Sequence, residues 1–278
     1  MNYIDAVIKL SPQPILKMKP LPLLLINTIS FIITLFINYL GGSGDYFGNS
    51  VGDISDDFTT LITPAAYAFS IWGLIYLGLI LFLVYQWIGY FNKQNNTSLE
   101  PSGIWFTVAN LSNALWIYVW VNEQIFLSII VILVLLFSLI QLVLKLRLET
   151  YDAPLKTLFL VWWPICIYTG WVILATVLTL SVGIKSTGTL DGIWSETVWA
   201  SLILIVATSI YALLTYTRNM REAALVGAWG ITAIAVKQWG INDQLSIVAI
   251  VLAGILVIIA GIHGFSNRET SIPAKMGK

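Results

Sequence analysis

Charged side chains are scarce in this sequence. Only 10% of its 278 residues are Asp, Glu, Lys or Arg, and 58% are hydrophobic, whereas a soluble domain carries roughly 25% charged residues. The 14 basic residues are balanced by 14 acidic ones, so there is no net positive charge to hold a nucleic acid. Together with a mean hydropathy of +0.86, this composition predicts an all-α, polytopic membrane protein.

Cysteine and histidine are scarcer still, because Cys166 and His263 are the only examples. One cysteine cannot form an intrachain disulfide or a thiolate metal cluster. One histidine cannot build the multi-histidine sites of most zinc enzymes. We therefore expect no metal site and no enzymatic activity.

Apolar runs long enough to span a membrane as helices are abundant, and we count about eight. They cover residues 22–40, 64–89, 103–121, 124–145, 155–180, 195–217, 222–238 and 243–263. The seventh rests on the short run AALVGAWGITAIAV. The first is followed by GGSGDY rather than by a signal-peptide cleavage site, so we expect it to be retained as a helix.

Basic residues orient these spans, since Lys and Arg are enriched in cytoplasmic loops. With the N-terminus inside, every Lys and Arg except Lys185 and Lys237 falls on the inner side. We therefore expect both termini in the cytoplasm, with a bacterial inner membrane as the default location. Residues 1–21 are interpreted as an N-terminal lead-in and residues 264–278 as a cytoplasmic tail.

The longest connection, residues 41–63, lies outside in this topology. Its Gly, Ser and Asp residues favour turns, and connections of this length are usually functional. We interpret it as a candidate lid. The second span then opens at Pro64, which we expect in the first turn of the helix, where a missing N–H is tolerated.

Aromatic and amide side chains recur on one face of three spans, at positions i, i+3 and i+7. In the predicted topology all three stripes lie in the outer half of the membrane. An amide facing lipid is costly, so the face of Asn113 should point toward other helices. We predict a cup between the second, third and fifth spans, walled by Phe69, Trp72, Tyr76, Asn113, Trp116, Trp120, Tyr168, Trp171 and Ala175. The alternative is that these stripes only pack the helices together, as aromatic faces usually do.

Three motifs in these spans resemble the translocator protein family, also called the tryptophan-rich sensory proteins. In chain order the matching residues are Pro64, Phe69, Trp72 and Tyr76, then Leu111, Asn113 and Trp116, then Tyr168, Trp171, Ala175 and Thr176. The sequence departs from the family pattern in the spacing from Phe69 to Trp72, in the position of Pro164 and in Thr179, which stands where the family has Asn. The resemblance covers residues 22–180 and leaves residues 181–263 as a three-helix extension.

The resemblance implies a five-helix bundle with a pocket for a flat hydrophobic ligand, such as a porphyrin or, in some members, a sterol. The nine cup residues would then bind that ligand, and a porphyrin or haem would be a ligand rather than a resident cofactor. The implied function is binding or sensing without turnover. The implied partners are the lipid bilayer, the hydrophobic ligand and a second copy in a homodimer, with no nucleic acid.

Other functions stay open at this point. A small-molecule membrane transporter is the main alternative, because eight helices could enclose a path and Pro164, Gly227 and Gly230 could break helices beside it. Against transport, no charged residue lies deep within a span, where ion coupling usually needs one. A retinal Schiff base on Lys237 and haem ligation by His263 are weaker alternatives, since both residues lie at span ends.

Overall fold

Eight long helices form most of the computed structural model, which describes residues 19–93, 98–188, 192 and 194–267. They are α1 (Pro20–Ser43), α2 (Ala66–Phe91), α3 (Trp105–Val121), α4 (Ile125–Lys145), α5 (Leu155–Thr187), α6 (Glu196–Arg218), α7 (Arg221–Gln238) and α8 (Asp243–Ser266). Two short helices, Val51–Asp57 and Leu99–Ser102, lie in the connections before α2 and α3. The predicted all-α bundle is confirmed. Most of the lead-in and most of the tail lie outside the described residues.

Six of the described helices, α1, α2, α4, α5, α6 and α8, are long and apolar enough to cross a membrane. The other two predicted spans correspond to α3 and α7, which have 17 and 18 residues. Most residues of both helices are buried, because neighbouring helices surround them. Small and polar side chains are favoured at such helix–helix contacts in a membrane. This position explains why α3 and α7 are less apolar than the helices around them.

The predicted ends agree with the structure to within a few residues, with two differences. α2 begins at Ala66, so the expectation that Pro64 lies in its first turn was wrong. The backbone at Ala65 is extended instead, and its N–H donates to the Ala233 carbonyl at 3.0 Å. α5 continues to Thr187, about two turns beyond the predicted end at residue 180.

Pro164 shapes the start of α5. Proline has no N–H to donate and its ring clashes with the carbonyl four residues earlier, and the turn Leu158–Trp162 just before it is a π-helix. A Cβ added at Gly78 would meet the Cβ of Pro164 at 3.3 Å. α2 and α5 therefore approach closely here, one to two turns from Trp72 and Tyr168.

The first five helices form a closed circle, as the resemblance implied. α1 packs against α2 and α3, α4 packs against α3 and α5, and α5 returns to α2. Their inward faces share one apolar core, in which Phe82, Phe106, Leu135 and Trp162 are almost fully buried.

A second apolar core lies between α6, α7 and α8, the three helices of the extension, and includes Leu204, Tyr211, Ile231 and Leu256. Ile62 of the α1–α2 connection and Ile173 of α5 also belong to it. α7 joins this extension to the five-helix circle by packing against α5 and against the first turn of α2. The backbones of α5 and α7 are so close at Gly170 that a Cβ added there would lie 2.8 Å from the Cα of Ala223.

Candidate functional site

The aromatic stripes of α2 and α5 meet in the structure. The Trp72 ring stacks on Tyr76, with ring centroids 5.4 Å apart and planes 19° apart. The Trp72 ring also makes edge contacts with the rings of Tyr168 and Trp171, with centroids 6.0 Å and 6.3 Å away. Phe69 completes the group through an edge contact with Trp171 at 6.0 Å. Ala175, one turn further along α5, is half-buried beside the same core.

The α3 stripe joins this group through Asn113. Asn113 is fully buried, and its Oδ1 accepts a hydrogen bond from Asn38 Nδ2 at 2.6 Å. Its side chain also lies near Tyr168, but Nδ2 makes no hydrogen bond there. One turn later, Trp116 and Trp120 stack with centroids 5.4 Å apart and planes 16° apart. The rings of α2 and α5 are thus in direct contact, and α3 approaches them through Asn113. Both the predicted cup and its alternative, aromatic packing between helices, require such contacts.

Three polar atoms of the cup are buried and have no hydrogen-bond partner among the described residues. They are the Tyr76 hydroxyl, Asn113 Nδ2 and Trp116 Nε1. A buried donor left unpaired costs about 1–3 kcal/mol. The cup therefore contains three buried donors that lack an acceptor among the described residues, next to rings that contact one another.

α1 contributes a polar stripe that the sequence analysis missed. Its side chains form a seam of hydrogen bonds with α3. Thr107 Oγ1 donates to Asn27 Oδ1 at 2.7 Å, and Asn110 Nδ2 donates to Ser30 Oγ at 3.1 Å. Thr34 Oγ1 donates to the Asn110 carbonyl at 2.7 Å, and Asn38 Nδ2 donates to Asn113 Oδ1 at 2.6 Å. The signal was present, since positions 27, 30, 34 and 38 have the same helical spacing as the aromatic stripes. The cup therefore has a fourth wall.

The connection between α1 and α2 is folded over one end of the bundle. Its short helix Val51–Asp57 begins with a capping box, in which Asp53 N–H donates to Ser50 Oγ at 3.1 Å and Ser50 N–H donates to Asp53 Oδ2 at 2.8 Å. Hydrogen bonds to its carboxylate from Ser50, the backbone N–H first and then the side chain, lower the pKa of Asp53. Ile54 is fully buried in the core of the five-helix circle. Trp120 Nε1 donates to the Val51 carbonyl at 3.4 Å, so the candidate lid lies directly against a cup residue.

The far end of this connection is held by α5 and α7. Lys185 Nζ donates to the Thr59 carbonyl and Gln238 Nε2 donates to the Leu61 carbonyl, each at 2.9 Å. Lys237 forms an ion pair with Asp56. Trp229 Nε1 donates to the Ala68 carbonyl at 3.2 Å, at the first turn of α2. Lys237, the residue considered for a retinal Schiff base, therefore holds the connection in this structure.

A second group of ionisable side chains lies at the opposite end of the bundle. Glu149, Cys166 and Glu222 place their ligand atoms within 4.8 Å of one another. Asn219 Nδ2 donates to Glu149 Oε2 at 3.3 Å, and Trp163 hydrogen-bonds Glu222. The sequence analysis did not anticipate this group, because its three members come from distant parts of the chain. It ties the connection before α5 to the start of α7.

His263 lies in the last turn of α8. Its ring makes an edge contact with Tyr216 at 5.8 Å, and the side chain of Asn267 lies beside it. The structure does not bring His263 to the cup.

Comparison with known protein families gives a match over most of the chain. A family model described as TSPO-like protein matches residues 24–262. The match contains the three motifs and continues through α6 and α7 into α8, beyond the residues that carried the resemblance. That resemblance is confirmed. No curated protein and no solved structure matches the chain.

Proposed function

Because this chain belongs to the TSPO-like protein family and is a multi-pass membrane protein, we propose that it binds or senses a hydrophobic planar molecule in the aromatic cup. The ligand is of the porphyrin or sterol type. The nine cup residues carry aromatic, amide and methyl side chains, which suit stacking and hydrogen bonding rather than acid–base or nucleophilic chemistry. The proposal is therefore binding without turnover.

The observation that carries this proposal is the set of three unpartnered donors among stacked rings. The Tyr76 hydroxyl, Asn113 Nδ2 and Trp116 Nε1 come from two helices and are all buried. Buried polar groups in native proteins nearly always have a partner. A ligand that brings acceptor oxygens or nitrogens into the cup supplies the missing partners.

The chemistry of the walls defines the ligand further. Aromatic contacts in offset or edge geometry contribute about 0.5–1.5 kcal/mol beyond the area that they bury, so a flat ring system gains from several walls at once. The donors require an acceptor on the edge of that ring system. A porphyrin has a flat ring system for the walls and carboxylates for the donors. A sterol offers the donors its hydroxyl oxygen.

The connection that carries the short helix Val51–Asp57 acts as the lid of this site. It contacts Trp120 on one side and is held by Lys185 and Gln238 on the other. With both chain termini cytoplasmic, in a bacterial inner membrane, the cup opens to the outer leaflet and the ligand enters from the bilayer.

Titration of protoporphyrin IX into the protein in lipid nanodiscs tests the proposal. We expect saturable quenching of tryptophan fluorescence, with an affinity lower by about two- to tenfold in Tyr76→Phe and in Trp116→Phe, since each variant loses one hydrogen bond and keeps an aromatic ring at its position. Trp239→Phe is the matched control, because Trp239 is 68% exposed and lies outside the cup. If Tyr76→Phe and Trp116→Phe bound protoporphyrin IX as tightly as the Trp239→Phe control, the proposed ligand site in the cup would be refuted.

Transport of a small molecule is the second candidate, and the polar seam between α1 and α3 favours it. The seam leads from Asn113 to Asn27, and Asn27 Nδ2 and Asn110 Oδ1 are buried in it with no partner among the described residues. Flux of porphyrin across proteoliposomes that stops in Asn110→Leu would support transport. Binding with no flux would leave the sensing proposal in place.

A further inference from the structure

We propose a second ligand site between the five-helix circle and the extension, which takes a small, neutral, largely apolar molecule with one hydrogen-bond acceptor. The site is an open cavity of about 410 Å³ lined by the end of the lid connection, the last turns of α5 and the first turns of α6. Ligand sites in proteins typically have about 300–1,000 Å³. None of the nine cup residues lines it.

The walls of this cavity suit an apolar body. Ile62 and Ala200 are buried there, and Ile184 and Ile203 contribute further aliphatic surface. Trp194 and Trp199 add a tilted ring pair, with centroids 4.8 Å apart and planes 43° apart. Trp194 is 53% exposed, so its ring face is available for a ligand at the mouth.

The polar groups on the walls define the polar end of the ligand. The hydroxyl of Ser181 is already bonded to the Val177 carbonyl, and Thr60 is bonded to Thr63. The indole N–H of Trp199 is buried and has no acceptor within the described part of the chain. A carbonyl or ether oxygen on the ligand provides that acceptor after a small adjustment of the indole ring.

The charge of the cavity argues for a neutral ligand. Lys185 is the cation on the wall, and its ammonium is held by Glu196 at 2.7 Å and by the Thr59 carbonyl at 2.9 Å. An anionic ligand would have to compete with Glu196, and a cationic one with Lys185. A neutral molecule avoids both penalties.

Photolabelling with benzophenone, a neutral diaryl ketone, tests this inference on the full chain in nanodiscs. Irradiation inserts the ketone into nearby C–H bonds, and mass spectrometry identifies the labelled residues. We expect saturable labelling at Ile184, Ala200 and Ile203. The concentration for half-maximal labelling should rise about two- to tenfold in Trp199→Phe, which loses one hydrogen bond.

Three further variants make the outcome decisive. Trp239→Phe should label like the unmodified protein, and Ala200→Leu, which narrows the cavity and keeps the N–H, should reduce labelling at Ile184 and Ile203. Trp116→Phe should weaken porphyrin binding in the cup and leave benzophenone labelling unchanged, so the two proposals can fail separately. Labelling that does not saturate, or that depends on Trp116 and not on Trp199, would overturn the second site.

Discussion

At the scale of single residues, two buried tyrosines differ in their hydrogen bonding. Tyr211 is fully buried and its hydroxyl donates to the Gly170 carbonyl at 2.7 Å. The Tyr76 hydroxyl is buried in the cup without a partner among the residues that the structure describes. Replacing either tyrosine by phenylalanine removes one hydroxyl, but the effect on the stability of the protein should differ between the two positions.

We expect Tyr211→Phe to destabilise the ligand-free protein by about 1 kcal/mol, because it removes a satisfied buried hydrogen bond. Tyr76→Phe should leave stability unchanged or raise it, because it removes an unpaired buried oxygen. Thermal unfolding in one detergent measures both. A loss of stability in Tyr76→Phe equal to that in Tyr211→Phe would show that the Tyr76 hydroxyl already has a structural partner.

Glycine has a defined role at one helix crossing. Gly170→Ala would place a Cβ 2.8 Å from the Cα and 3.0 Å from the carbonyl oxygen of Ala223, both of which belong to a backbone that cannot rotate away. Gly73→Ala is the matched control, since a Cβ there meets no atom within 4 Å. Overpacking of this kind costs about 1–3 kcal/mol, so we expect a lower unfolding temperature for Gly170→Ala. The control should be neutral or slightly stabilising, because Ala favours helix over Gly. Equal stability of the two variants would contradict the close contact of α5 and α7.

At the scale of structural elements, α7 links the extension to the lid. Its last residues hold the lid connection, its middle donates the Trp229 bond to the start of α2, and Ala223 in its first turn lies against α5. The extension thus contacts both the helix that carries Trp72 and the helix that carries Trp171. This arrangement gives α6–α8 a mechanical connection to the cup although they contribute none of its nine residues.

Gln238→Leu should loosen the lid, because the carbonyl of Leu61 loses a donor at a buried position. We expect faster amide hydrogen exchange over residues 58–63 and faster porphyrin dissociation, by about two- to tenfold for one hydrogen bond. Lys237→Met is the comparison, since its ion pair with Asp56 is partly exposed and such pairs contribute about 0–1 kcal/mol. If Lys237→Met loosens the lid as much as Gln238→Leu, the buried hydrogen bond is not the main attachment.

At the scale of the whole molecule, the structure groups the connections by the end of the bundle at which they lie. Contacts among Asp56, Lys185, Glu196 and Lys237 place them at one end. Contacts among Glu149, Asn219 and Glu222 place those residues at the other. This grouping agrees with the alternation of connections that the predicted spans require. Which of the two ends faces the cytoplasm stays a prediction from the basic residues.

Single cysteines can test this topology, because the native Cys166 is fully buried and should not react. We expect a membrane-impermeant maleimide to label Asp45→Cys and Ser186→Cys on intact cells. Asn92→Cys and Thr150→Cys, which are also exposed, should react only after permeabilisation. The reverse pattern would invert the orientation, and labelling of one cysteine from each pair would contradict the arrangement of eight helices.

Much of this architecture was predictable from local patterns. Hydropathy located the helices, and helical spacing correctly placed Trp72 next to Tyr168 and Trp171. The α1 wall was not predicted, because Asn27, Ser30, Thr34 and Asn38 lie in a strongly apolar run whose overall hydropathy hides their helical spacing. Contacts such as Gln238 with Leu61 have no local signal, because they depend on how helices far apart in the chain are arranged. The positions of Ala65 and Pro64 were likewise set by a bond to α7 rather than by the propensities of the residues themselves.

The attachment of the lid to α7 also orders events in time. Leu61 and its partner Gln238 are separated by 177 residues. At a synthesis rate of about 5–20 residues per second, roughly 9–35 s pass between the two. During that interval the first five helices can enter the membrane and close their circle, and Lys185 of α5 can already hold the carbonyl of Thr59, but the bond from Gln238 to Leu61 has not yet formed. The far end of the lid connection is therefore held less firmly in the nascent protein than in the complete one, until α7 is in place.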